Sequence, residues 1–518
     1  MSNAGEAAEG RKGGVNTQLP DVCLLIEGAY PYVAGGVSGW LQELISAQSD
    51  LSFHIVALVP DKKWKKLRYP LPGNVIGLSH VYLQDLDKGC RHVKGIDQLC
   101  HELEKPLLAL QRQGGLQEVA DIIRLLEPFG NQIGRRLLLN SEASWNLLVR
   151  MYEASLPDGS FLNYFWTWRA LMGGLFATLT APLPRAGVYH VISTGYAGLL
   201  AARAKIETGR PVVITEHGIY TNERRIELTM ADWLFAGTDQ GFSVESVKRD
   251  LSDIWKDTFQ SYASACYLAC DKITTLYGGN QILQTRDGAD PAKQLIIPNG
   301  IDYDRYAAVK RSTEPRPPTV ALIGRVVRIK DIKTYIRACA YLRKDVPQLQ
   351  ALVLGPTEEE PDYFEQCKAL VHHLGLNNTV KFAGRVCLED YLGRVDCVVL
   401  TSISEAQPLS ILEAGAAGVP SVTTDVGACR EMILGQPGES PALGAGGAVT
   451  PVASPAAIAQ AIKQLLLDPE WHKRCSQAIQ ERVRLCYNKT CIDGIYHQLY
   501  QEMLALTDSE SLMNREAS

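Results

Sequence analysis

No stretch of the sequence reaches the roughly 18 uninterrupted apolar residues that a membrane-spanning helix requires. The opening residues, MSNAGEAAEGRKGGVNTQLP, lack the apolar core of a secretion signal, so the protein is expected in the cytoplasm. Positive charge is also short. The 52 Lys and Arg face 57 Asp and Glu, a net charge of -5, which argues against a dedicated nucleic-acid binder. Thirteen cysteines occur without a single CxxC pair, the nearest two being Cys266 and Cys270. Reduced, buried thiols fit that spacing better than a disulfide framework. The metalloprotease HExxH, the phosphate-binding GxxxxGKS/T and the GxSxG nucleophile elbow are missing too.

What is present is a long chain of ordinary globular composition, 46% apolar and 21% charged over 518 residues. Domains usually run about 100 to 200 residues, so two large ones are expected. DVCLLIEG from Asp21 is a short apolar run closed by glycine, helical periodicity follows from Val37 to Gln48, and FHIVALVP is the next strand. That is the opening of a doubly wound parallel sheet. Residues of about 84–185 are dominated by helical patterns and read as an insertion, with FLNYFWTWRA (161–170) open to core packing or to a sugar-stacking surface. Strands return in GVYHVIST, PVVITEHG, CDKITTLY and KQLIIPNG. KRSTEPRPPT (310–319) concentrates proline and charge as a linker would. TVALIGR, LQALVLGP, TVKFAGR, CVVLTS and PSVTTD then restart the alternation. The division is therefore 1–20 flexible, 21–309 a first α/β domain, 310–319 a linker and 320–480 a second α/β domain. Residues 481–506 form a helix that crosses back, and 507–518 form a flexible tail.

Three segments carry candidate chemistry. In EAQPLSILE (405–413), CVVLTS leads directly into a helix whose N-terminus lies at the ligand-binding edge of a parallel sheet. Free N–H groups there, including those of Leu409 and Ser410, favour an anion, and Glu405 and Glu413 bracket the position. GRVVRIK (324–330) brings Arg325 and Lys330 to another strand-to-helix turn, a suitable pair for a diphosphate. AYPYVAGGVSGW places Gly35 and Gly36 after the first strand, where backbone can approach a phosphate or sugar, without forming GxGxxG. His190 and His217, the latter beside Glu216, reach the same edge. Asp85-Leu86-Asp87 and Asp302-Tyr303-Asp304 lack companion oxygen ligands, so no metal is expected. The basic run DKKWKKLRYP (61–70) reads as a solvated loop or a contact with an anionic membrane or partner.

GRVVRIK, EAQPLSILEAGAAGVP, the GGVS loop and IPNGID resemble the retaining, nucleotide-sugar-dependent glycosyltransferases of the GT-B fold over almost the whole chain. EGAYPYVAGGVSGW, LRYPLPGNVIGL and TEHGIYTNERRIEL are similar more narrowly to the cytosolic glycosyltransferases of bacterial Pel exopolysaccharide biosynthesis. The resemblance implies two Rossmann-like domains facing across a cleft, with acceptor on the first and donor on the second. It implies that Arg325 and Lys330 hold the diphosphate of a UDP-sugar, Glu405 contacts the sugar and Glu413 the ribose. Gly35 and Gly36 face the phosphates, Arg385 and Val386 of AGRV border the base, and Asn299 of IPNGID joins the donor site. His217 is the candidate catalytic histidine, with His190 beside it, because the family's histidine pair reads His190-Val191-Ile192 here. Pro408 departs from the family's usual glycine, removing one N–H while leaving those of Leu409 and Ser410.

The implied function is metal-independent, retaining transfer of a UDP-sugar to a growing polysaccharide, without cofactor, beside an inner-membrane synthase complex. A nucleotide-sugar-binding scaffold, or an epimerase or hydrolase on the same fold, are the alternatives. The residues leave open whether the sugar is glucose, N-acetylglucosamine or N-acetylgalactosamine.

Overall fold

Apolar runs that are buried on both faces set the architecture. β1 (Val22–Glu27) and β2 (Phe53–Val59) are such runs, the pattern of interior parallel strands flanked by helices. With β3 (Val75–Tyr82), β4 (Val188–Val191), β5 (Val212–Glu216), β6 (Lys272–Thr275) and β7 (Gln294–Ile296) they form a parallel sheet ordered β3-β2-β1-β4-β5-β6-β7. The second sheet joins β8 (Thr319–Ile323), β9 (Gln350–Leu354), β10 (Val380–Gly384), β11 (Cys397–Leu400), β12 (Ser421–Thr424) and β13 (Gly447–Thr450). Its order is β10-β9-β8-β11-β12-β13, again all parallel. The computed structural model describes residues 19–28, 30–63, 66–225 and 250–516, so all but the last two residues of the expected flexible N-terminus lie outside the described residues.

Alternate side chains of β1 serve opposite cores, as the two-residue period of a strand dictates. Cys23 and Leu25 join the helical insertion, whose long helices Ile96–Leu110, Leu116–Leu126, Glu142–Ser155 and Phe161–Thr180 lie between β3 and β4. Val22, Leu24 and Ile26 meet helix Gly36–Ala47 and the C-terminal helix Lys489–Glu516. FLNYFWTWRA divides by helical face, with Tyr164 and Trp168 buried and Leu162 and Trp166 exposed. Among the described residues no helix is long and apolar enough to cross a membrane.

Several expected boundaries move. β3 was missed because it is a half-covered edge strand whose alternation is weak. β13 was missed because it is four residues long and opens on Gly447, where a Cβ would lie 1.8 Å from the Ser421 carbonyl oxygen. Residues 310–319 are not the crossing between domains. Arg316 forks onto Asp396 at 2.5 and 2.7 Å, and Arg311 donates to the carbonyls of Leu392 and Val395, fixing this stretch to the second domain. Ile297 packs in the first domain's core while Ile301 and Tyr306 pack in the second's, so the chain crosses at residues 298–300. It returns between Tyr487, in the second core, and Ile492, in the first. The crossing helix thus starts at Lys489 rather than 481, and it continues to Glu516 through the expected tail. Its Ile492, Tyr496, Leu499, Tyr500 and Met503 are buried, which contributes on the order of 10 kcal/mol before side-chain entropy is subtracted.

Candidate active site

In the second sheet β8 and β11 are neighbours whose connections leave in opposite directions, which opens a crevice beyond their carboxyl ends. The loops that fill it are tied together. Thr401 Oγ1 donates to the carbonyls of Lys330 (2.9 Å) and Asp331 (3.0 Å), and the Ile403 N–H donates to Ile329 (2.8 Å). Asp331, at φ +45°, caps helix Ile332–Leu342 through the Thr334 N–H. Lys330 Nζ pairs with Glu405 Oε1, which also accepts from Ser402 Oγ at 2.6 Å. The two side chains are only 18% and 13% exposed, so removing one partner would strand the other charge largely out of water.

Helix Leu409–Ala416 starts just beyond, with Pro408 as its N-cap, one step earlier than its expected place in the first turn. The N–H groups of Leu409 and Ser410 belong to the first turn, which has no carbonyl partner within the helix. Behind them Gly427 (φ +52°) touches the loop so closely that a Cβ would lie 2.2 Å from the Glu405 carbonyl oxygen, and Ala428 N–H donates to Ala406 at 2.8 Å. Glu413 accepts from Tyr306 Oη at 3.1 Å, and burial raises its pKa above the usual carboxylate range despite that bond.

Not every expected residue converges. Arg325 Nη1 lies 2.6 Å from both Glu359 oxygens in an exposed pair, so the two cations expected as one clamp engage different carboxylates. Arg385 is exposed after β10, and Val386 packs against the second core. Asn299 lies in the crossing, its N–H donating to Gln407 Oε1 at 2.7 Å. Of the two Asp-x-Asp elements, Asp85 pairs with Lys62 and Asp302 caps helix Tyr303–Ala307.

On the first domain β1 and β4 form the corresponding switch point. Gly35 and Gly36 open the helix after β1, and a Cβ on either would meet nothing within 4 Å, so space rather than protein packing surrounds them. The two histidines separate in role. His190 is fully buried, bonded to Tyr500 Oη (2.7 Å) and Thr215 Oγ1 (2.8 Å), and burial and the neighbouring His217 lower its pKa to about 3. His217 packs edge-on against Trp40 at 4.5 Å, its Nε2 is buried with no partner among the described residues, and burial lowers its pKa to about 4. Glu216 points its carboxylate into protein, accepting from Tyr267 Oη (2.6 Å) and Gln284 Nε2 (2.9 Å), and burial raises its pKa to about 7.

Sequence reasoning passed over Gln407, Tyr306, Trp40 and Glu359. Gln407 lay inside the quoted EAQPLSILE, where an uncharged side chain between two glutamates gives no spacing signal. Tyr306 and Glu359 reach their partners from 107 and 34 residues away, which no local pattern encodes.

Residues 20–292 match the family described as "Domain of unknown function (DUF3492)", and residues 307–482 match "Glycosyl transferases group 1". A D-inositol 3-phosphate glycosyltransferase from Kineococcus radiotolerans is 32% identical over 199 residues, covering 35% of this chain and 46% of that protein. A glycogen synthase from Mycobacterium tuberculosis is 29% identical over 234 residues, covering 44% of this chain and 51% of that protein. The chain therefore spans about half the length of these curated relatives. Among solved structures, sucrose-phosphate synthase from Thermosynechococcus elongatus superposes with a TM-score of 0.54 at 15% identity, covering 94% of this chain and 100% of that one. HepE from Anabaena, in complex with UDP, gives 0.55 at 14% identity, covering 93% and 100%. At such identities the likeness carries the fold, two Rossmann-like domains arranged as in GT-B glycosyltransferases.

Proposed function

The chain belongs to the DUF3492 family, with a group 1 glycosyltransferase domain behind it, and from the resemblance of EGAYPYVAGGVSGW, LRYPLPGNVIGL and TEHGIYTNERRIEL we propose that it transfers a sugar from a UDP-sugar to a growing exopolysaccharide of the Pel type. The observation that carries this reading is the Lys330–Glu405 pair at the β8/β11 switch point, in the loop that leads into the helix carrying Glu413. A nucleoside diphosphate sugar matches that order of groups. Lys330 and the N–H groups of Leu409 and Ser410 face the diphosphate, Glu405 accepts from sugar hydroxyls, and Glu413 accepts from the ribose diol. HepE is solved with UDP, and with UDP and glucose, which supports the uridine nucleotide.

In this account the bond from the anomeric carbon to the phosphate oxygen breaks while an acceptor hydroxyl attacks from the same face. The hydroxyl's proton passes to the departing phosphate oxygen, so the configuration is retained and no protein base is required. Charge growing on the phosphate is met by Lys330 and the helix terminus, which are already in place and supply electrostatic stabilisation without a metal. Arg325 joins them by exchanging its exposed Glu359 partner, a pair of the kind worth at most about 1 kcal/mol. His217, neutral at physiological pH, offers Nε2 to the sugar from the first domain, which also carries Gly35 and Gly36. Arg385, Val386 and Asn299 complete the donor site. The acceptor lies on the first domain, and the enzyme works at the cytoplasmic face of an inner-membrane synthase complex. The basic run 61–70 is a contact candidate there, although its Trp64 and Lys65 lie outside the described residues.

Incubation with UDP sugars radiolabelled in the sugar tests the reading. Label entering polymer is the expected result. Release of free sugar or an epimerised nucleotide sugar would identify a hydrolase or epimerase, and binding without turnover a scaffold.

A further inference from the structure

Gln407 is 7% exposed and sits two residues after Glu405, immediately before the N-cap of helix Leu409–Ala416. The orientation of its amide is determined by its neighbour. Asn299 N–H is a donor, so the amide oxygen must face it, and Oε1 does at 2.7 Å. Planarity of the amide then turns Nε2 the other way, where it is buried with no partner among the described residues. Asn299 Oδ1, on the residue that makes this contact, is likewise buried with no partner among the described residues. A buried donor and a buried acceptor without partners cost about 1 to 3 kcal/mol each, a cost that a group pairing with both would remove. An ionised phosphate only accepts, and would be repelled by Asn299 Oδ1. A sugar hydroxyl both donates and accepts, and fits.

We propose that Gln407 and Asn299 form a hydroxyl-reading pair for the sugar of the donor, with Gln407 Nε2 donating to a hydroxyl that in turn donates to Asn299 Oδ1. The inference rests on the donor-site reading above and adds Gln407 to it as a specificity residue. Because Asn299 belongs to the crossing between domains and Gln407 to the second domain, the hydroxyl also ties sugar recognition to the seam at which the domains meet.

The test separates sugar from nucleotide. Gln407→Glu keeps an oxygen for Asn299 N–H while removing the donor, and Gln407→Met removes both polar atoms at similar volume. Each is compared with wild type by calorimetric titration with UDP alone and with the tightest binder among UDP-glucose, UDP-N-acetylglucosamine and UDP-N-acetylgalactosamine. The expected result is UDP affinity within twofold of wild type, with affinity for the UDP-sugar falling about tenfold. Unchanged affinity for both ligands would overturn the proposal and leave the donor reading intact. Equal loss for both would also overturn it, because the amide would then serve the nucleotide or the loop. Failure of wild type to bind UDP would overturn the donor reading and this proposal with it. If Gln407→Glu does not fold, Gln407→Met and Asn299→Leu give the same reading through the ratio of the two affinities.

Discussion

Lys330 and Glu405 hold each other largely out of water, so a useful substitution must remove charge without stranding the partner. Lys330→Gln keeps a donor for Glu405. On the proposed mechanism its turnover is expected to fall about a hundredfold through lost stabilisation of the leaving diphosphate, while the Glu405 charge left without its cation lowers the melting temperature, by less than in Lys330→Ala. Wild-type turnover in a purified, folded Lys330→Gln enzyme would remove Lys330 from the mechanism. The histidines give a pH prediction. Burial holds His190 neutral down to about pH 3 and His217 to about pH 4, while both protonate near pH 6.5 in the unfolded chain. Below pH 6.5 the unfolded state therefore binds more protons than the folded one, and stability falls as pH falls. Each group contributes a slope of about 1.4 kcal/mol per pH unit until its folded pKa is reached. The raised pKa values of Glu216 and Glu413 act in the opposite sense over this range, so the reading is a difference: in denaturant unfolding from pH 7 to 4.5, His190→Gln, which can still bond Tyr500 and Thr215, should lose less stability with falling pH than wild type.

At the scale of elements, the loop 401–408 owes its shape to a neighbour it never meets in sequence. Gly427 leaves no room for a Cβ beside the carbonyls of Glu405 and Ala406 and adopts a left-handed φ. Gly427→Ala is expected to destabilise the protein by about 2 kcal/mol or more and to weaken UDP-sugar binding by displacing Glu405, read by thermal unfolding and titration of the same sample. This dependence was not legible in the sequence, whereas the loop's place at the sheet edge was. The segments TVALIGR and CVVLTS are short apolar runs followed at once by helix formers, and that order alone places GRVVRIK and EAQPLSILE at one sheet edge. Interior strands announce themselves because both faces must be apolar. β3 does not, since its outer half is wet, and β13 does not, since its first position is read by the space available rather than by hydrophobicity. The linker was misplaced because proline and charge mark exposed chain, and 310–319 is exposed chain tied by arginines to Asp396 and its neighbours.

At the scale of the molecule, two strands of chain connect the domains and they run side by side. Ile301 N–H donates to Tyr487 and Lys489 N–H donates back to Ile301, both at 2.9 Å. Gly300 lies against this seam, where a Cβ would approach Lys489 Cα to 2.6 Å. Glu431 adds a contact from the second domain, accepting the Gly278 N–H at the start of helix Gly278–Arg286 at 2.9 Å. Gly300→Ala is expected to part the two crossings, lowering turnover more than UDP affinity, because on the proposed mechanism the cleft between domains needs a sound hinge, whereas Lys330 and Glu413, proposed to hold the diphosphate and ribose, both lie on the second domain. Equal losses in kcat and in UDP affinity would show that the seam serves binding alone. The account stands most directly on calorimetric titration of wild type and Glu413→Gln with UDP and with GDP-mannose. It predicts that UDP binds wild type and loses at least tenfold in affinity when Glu413, the proposed ribose carboxylate, becomes neutral. Binding of GDP-mannose alone, or UDP affinity unchanged in Glu413→Gln, would contradict it.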